Sequence, residues 1–250
     1  MNRGGWPHEV PVIGSDGARV WKLERFGDGI DSVAWVDLDG AGTKTLIVGL
    51  NGGGGLHTFF DGGRKRWSLA PEGNIWTVAG IDAIGGRPGL VVFSDGEKVS
   101  LVDSKGAEVG TIATGGHYVT SVAAAEMDNA GERQVVSFWP ANVGTSDYAV
   151  ATNLEGKALW KYPVDFDGIM QMGPPILAVD VTGDGTKEWI ISPNWRELVV
   201  LDTRGRLLAR VEAKDKGFPA WTAIARKGKP GWIVAVEAGK LSAFTLAPKN

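Results

Sequence analysis

The chain is expected to be all-β: a β-propeller of five four-stranded antiparallel blades. Three observations predict this. First, its 250 residues include 37 Gly and 12 Pro, a level that suits many short strands joined by tight turns. Second, a glycine in a polar turn recurs as Gly17, Gly63, Gly106, Gly156 and Gly205, 43–50 residues apart. Third, a separate frame in the apolar strands that follow has nearly the same period, with Asp37, Asp82, Glu126, Asp180 and Arg226 equivalent.

Each element has a local reason. The turn glycines sit in contexts such as Asp16-Gly17 and Glu155-Gly156. There a positive φ is cheap only for Gly or Asn, as hairpin turns demand. Four residues on stand Trp21, Trp67 and Trp160, replaced in the other two copies by Gly110 and Ala209. The chain holds 11 Trp against 3 Tyr, and the repeated tryptophans read as wedges between blades. In the second frame Ala34, Ala79, Ala123, Leu177 and Ala223 lie three residues before the acidic or basic marker, small enough for strands crowding an axis. Units of about 40–50 residues with four strands each bury their faces only against neighbours, as in propellers.

One domain over 1–250 is expected, with blades at 30–71, 72–115, 116–168, 169–216 and 217–246. The strand at 18–25 would be the fourth of the last blade, so that the N-terminal strand closes the ring without a free edge. Val10–Ser15 also reads as a third strand and would compete with Leu241–Leu246 for that place.

Charge and composition exclude several classes. A net charge of −3 without a basic run points away from nucleic acid and anionic membranes. No apolar run approaches the roughly 18 residues of a membrane span. Without Cys there is no disulfide and no thiolate metal site. Met1–Pro11 lacks the pattern of a secretory signal. A monomer is expected.

The turn-and-Trp segments "NLEGKALWKY" (Asn153–Tyr162) and "GSDGARVWKL" (Gly14–Leu23) resemble the repeat of pyrroloquinoline-quinone-type propellers. "VDVTGDGTKEWIIS" (Val179–Ser192) resembles the calcium-loop repeat of integrin-type (FG-GAP/VCBS) propellers, with weaker copies such as "VDLDGAGTKTLIVG". Together the two resemblances cover nearly the whole chain. They imply a propeller and, through the second family, an extracytoplasmic location. They do not imply a quinone cofactor, since quinone enzymes of that type have longer chains. Such folds host catalysis, adhesion and assembly alike.

The sharpest chemical constellation is Asp180, Thr182, Asp184 and Glu188, whose spacing puts several oxygens around one loop and suits Ca²⁺. Its bland counterpart is a tight turn in which Asp180 accepts backbone N–H groups. Asp37, Asp82, Glu126 and Asp180 would form a partial acidic ring, although repetition favours a shared capping role over catalysis.

The varied loops at the opposite end carry recognition side chains. Trp76, His117, Tyr118, Trp139, Trp195 and Trp221 offer flat apolar faces, with Asp31, Asn142, Asp147, Asn194 and Arg196 beside them. This pattern predicts a non-catalytic module that recognises a glycan or a polypeptide. The rivals are a carbohydrate-active hydrolase or lyase, drawing on Asp31, Asp147 and Asp165, and a structural module of a larger or artificial protein with no ligand of its own.

Overall fold

A computed structural model describes residues 7–23, 27–70, 73–119, 121–128, 130–141, 147–165, 176–214 and 217–246. All regular structure in them is β-strand. The chain divides into two compact units, Met1–Val122 and Ala123–Asn250.

In the first unit, β1 (Val10–Ile13) and β2 (Arg19–Leu23) form a hairpin. Two four-stranded sheets follow: β3 (Ile30–Val36), β4 (Thr45–Leu50), β5 (Gly55–Phe59) and β6 (Lys65–Leu69), then β7 (Thr77–Ile81), β8 (Leu90–Ser94), β9 (Lys98–Val102) and β10 (Glu108–Ala113). The second unit's sheets begin with β11 (Val122–Glu126), β12 (Arg133–Trp139), β13 (Tyr148–Thr152) and β14 (Ala158–Pro163). Next come β15 (Ile176–Val179), β16 (Glu188–Ile191), β17 (Glu197–Leu201) and β18 (Leu207–Glu212). The last sheet has three strands, β19 (Ala220–Arg226), β20 (Lys229–Glu237) and β21 (Lys240–Phe244).

Strand order in every sheet follows chain order, because each strand returns beside its predecessor through a short loop. Second strands are covered on both faces, so β4, β8 and β16 are buried throughout and read as continuous apolar runs in place of an alternation. Fourth strands such as β10 and β18 are largely exposed.

The two repeat frames of the sequence meet in single rows across the sheets. One row runs Ala34, Ile47, Thr58, Trp67. Another runs Ala79, Val92, Leu101, Gly110, and a third Leu177, Ile190, Val200, Ala209. Each third-to-fourth-strand hairpin shares one turn, as where Asp202 N–H donates to Arg206 O (3.0 Å) and Gly205 N–H to Asp202 O (3.0 Å). Gly205 takes φ 75°. Just past that turn the register slips in all five hairpins, at Val12/Ile13, Thr58/Phe59, Glu108/Gly110, Ala151/Thr152 and Val200/Leu201. A bulge there adds local twist.

The repeated tryptophans seal one sheet against the next. Trp67 Nε1 donates to Ser104 O (3.0 Å) and Trp160 Nε1 to Thr203 O (3.1 Å), while Trp21 Nε1 donates to Asp61 Oδ1 (3.1 Å). Each indole also lies flat on the following turn's glycine. A Cβ on Gly205 would sit 2.7 Å from Trp160, and one on Gly106 3.1 Å from Trp67. The turn glycine is therefore required twice, by its backbone conformation and by the ring above it.

Two expectations are corrected. The strand at 18–25 does not complete the last sheet among the described residues. Arg19–Leu23 pairs instead with Val10–Ile13, Val12 opposite Trp21. The partner across a short turn is entropically nearest, so the competing third strand Val10–Ser15 captures it. The second frame also slips by one residue in the last sheet. Ala223 packs with Ile233 and Phe244 against Ile190 and Val200, whereas Ile190 itself lies in the row of Leu177. A one-residue shift moves every side chain to the other face.

Candidate functional site

In the first unit the loops at 27–31, 51–54, 73–76, 94–97 and 114–119 lie at the same end of the two sheets. Ser94, buried at the end of β8, organises them. Its hydroxyl reaches Val119 O (2.7 Å) and Lys98 O (3.1 Å) and accepts the Gly96 N–H (3.0 Å). Trp76 N–H donates to Ser94 O (3.0 Å) and Val119 N–H to Gly96 O (2.7 Å), which draws two loops onto one turn. Gly96 has φ 100°, and a Cβ there would lie 2.4 Å from the Tyr118 ring.

The result is an aromatic pair on the surface. Trp76 Nε1 donates to Tyr118 Oη at 2.8 Å, and the rings meet edge to face at 74° with centroids 6.0 Å apart. Tyr118 is 49 % exposed. Beside the pair, Gly52 N–H donates to Asn74 Oδ1 (2.6 Å), and Asn51 Nδ2 lies 3.3 Å from both oxygens of Asp31. His117 N–H donates to Thr114 O (3.2 Å). The four expected residues of this unit, Asp31, Trp76, His117 and Tyr118, thus share one end, and Trp76 and Tyr118 touch.

The second unit presents its own loops. Trp195 is 40 % exposed with φ 62°, an uncommon conformation for an aromatic residue. Its carbonyl accepts the Phe218 N–H at 2.5 Å. Asn194 Oδ1 accepts the Arg196 N–H (3.0 Å), and Arg196 O accepts that of Ala213 (2.7 Å). Trp139 is buried, its Nε1 donating to Ser137 Oγ (2.8 Å). Lys161 lies over both Trp139 and Tyr148, 5.3 and 5.8 Å from the ring centres. Asp147 accepts the Ala141 N–H. Trp221 packs into the core of the last sheet. Asn142 lies outside the described residues. Sequence reasoning missed Lys161; the only available signal was its place between Trp160 and Tyr162 on an alternating strand.

The proposed cation loop is engaged by its own chain. Asp180 accepts the N–H groups of Gly183 (2.6 Å) and Gly185 (3.0 Å), and Asp184 that of Thr186 (2.7 Å). Glu188, 3 % exposed, accepts from Val181 N–H (2.9 Å), Thr182 N–H (3.2 Å) and Thr182 Oγ1 (3.0 Å). Burial pushes its carboxyl above the ordinary range against those donors. Among the described residues no group of three or more His, Cys, Asp or Glu side chains is placed to hold a metal ion.

Asp37 repeats the Asp180 geometry, accepting from Gly40 (2.8 Å) and Gly42 (2.7 Å). Burial opposes its ionisation, yet backbone donors led by Gly42 hold it below the ordinary value. Asp82 takes the Asp37 N–H (2.8 Å) and Lys44 (2.8 Å), and Glu126 pairs with Arg133 at 3.1 Å. The four acidic positions brace turns, each with a partner in hand.

No family model matches the chain, and neither does any curated protein. Solved structures do match. A protein of unknown function from Bacteroides caccae has a TM-score of 0.58 at 15% identity, over 97% of this chain and 88% of its own. BBS1N, solved in complex with ARL6DN, scores 0.54 at 11% identity over 96% and 86%. The Dos1 propeller scores 0.61 at 11% identity over 96% and 63%. With its sequential four-stranded antiparallel sheets, the chain has the β-propeller fold. At these identities the likeness carries the fold alone.

Proposed function

We propose that this propeller is a non-catalytic recognition module that binds a polypeptide through the loops around Trp76 and Tyr118. The carrying observation is that aromatic pair: exposed, hydrogen-bonded ring to ring, and seated on a turn that only glycine can make. A rigid aromatic surface offers contact area at low entropic cost and is the usual anchor of a protein interface. Amide groups at Asn51 and Asn74 beside it suit peptide as well as side-chain partners. That BBS1N has been solved with a protein partner supports the reading. The hydrolase reading needs two carboxylates across one pocket, and Asp31 is held by Asn51.

A peptide array and a glycan array, probed with wild type, Trp76→Ala and Tyr118→Phe, test the proposal. Peptide binding is expected, weakened at least tenfold by Trp76→Ala and less by Tyr118→Phe. Peptide binding that ignores both substitutions, or binding confined to glycans, would overturn it.

A further inference from the structure

The last sheet differs from the other four in one respect. In those, the third strand pairs with a fourth: β5 with β6, β9 with β10, β13 with β14, β17 with β18. Among the described residues β21 pairs only with β20. Its other edge therefore presents backbone N–H and C=O groups without a ladder partner, and Leu241 on it is 74 % exposed.

A second feature falls at the same place. Where the first and third sheets carry Trp67 and Trp160 to cover the next turn, the fourth carries Ala209. A groove of about 920 Å³ opens there. Its apolar wall comes from Leu208, Ala209 and Val211 of β18 and from Phe244 and Leu246 at the end of β21. Its rim is ionic, with Asp184, Asp202, Arg204 and Arg206. The missing ring and the missing strand make one continuous trough, open edge on one side and apolar wall on the other.

We infer that β21 accepts an extended segment of a partner polypeptide as the fourth strand of its sheet, with alternate side chains entering the groove against β18. The occupant is specified by chemistry on the page. An unpaired strand edge is matched in spacing by another extended backbone, and the position is the one a strand fills in each of the four complete sheets. Main-chain pairing supplies affinity, and the Ala209 groove selects for apolar residues at every second position. This surface lies wholly in the second unit, apart from Trp76 and Tyr118, so its fate and that of the loop site are read separately.

The test is selection of a random 12-residue phage-displayed peptide library on the full chain, counter-selected on Ala209→Trp, which fills the groove with the ring its repeat neighbours carry. Recovered peptides should alternate apolar and polar residues and bind Trp76→Ala as well as wild type. Backbone N-methylation at alternate positions should weaken them at least tenfold. Hydrogen exchange on the wild-type complex, which needs no variant, should slow the amides of Lys240–Phe244. No enrichment over Ala209→Trp, indifference to N-methylation, or unchanged exchange in β21 would each overturn the inference.

Discussion

Glu188 and Asp37 occupy neighbouring kinds of turn, yet the environment drives their carboxyls in opposite directions. Asp37 sits where several backbone donors outweigh burial and favour the anion. Glu188 is deeper, and burial wins. For Glu188 the sign follows from linkage: a native pKa above the unfolded one means the folded chain holds the proton more tightly. That contribution is present below the ordinary Glu value of about 4.3 and fades as pH rises through the raised native value. Urea unfolding of Glu188→Gln from pH 4 to 8 should therefore show the variant gaining on wild type as pH rises; a difference independent of pH would contradict this. Individual side chains were the least legible level of the sequence. Trp139 and Trp195 look alike in a loop-rich string, but one is buried on Ser137 and the other exposed at positive φ. Burial depends on which strand lies opposite, and no local pattern encodes that.

Hairpins were more legible, because their turns constrain residue types directly. The glycine at φ > 0 and the Trp four residues later are visible in the string, and both recur in space. The bulge between them was not, since it leaves no residue preference of its own. Strand partners were legible only in part: β2 looked like the outer strand of the last sheet and pairs instead with β1. Its Trp21 still covers Gly63 and bonds Asp61 as an outer-strand Trp does. The element-scale prediction concerns the indole N–H. Trp67→Phe keeps a ring over Gly106 but leaves Ser104 O without its donor. A loss of about 0.5–1.5 kcal/mol is expected by equilibrium unfolding, the net worth of one such bond. No loss would mean that the ring alone does the sealing.

Across the whole chain, the repeat was readable because a single physical unit is reused: a sheet whose fourth strand lays a residue over the following turn. Resemblance in fold at 10–15% identity to propellers of other origin fits this, since so few positions need conserve their type. The ligand was not readable, because recognition loops break the repeat by their nature. The central claim is that indole-on-glycine contacts couple one sheet to the next, and a double-mutant cycle between Trp160 and Gly205 tests it most directly. In wild type, Gly205→Ala meets both an unfavourable φ of 75° and a ring 2.7 Å away. Once Trp160→Ala has removed the ring, only the backbone term of about 1–2 kcal/mol should remain. The account predicts that Gly205→Ala costs at least about 1 kcal/mol less in the Trp160→Ala background than in wild type; additivity within about 0.5 kcal/mol would contradict it.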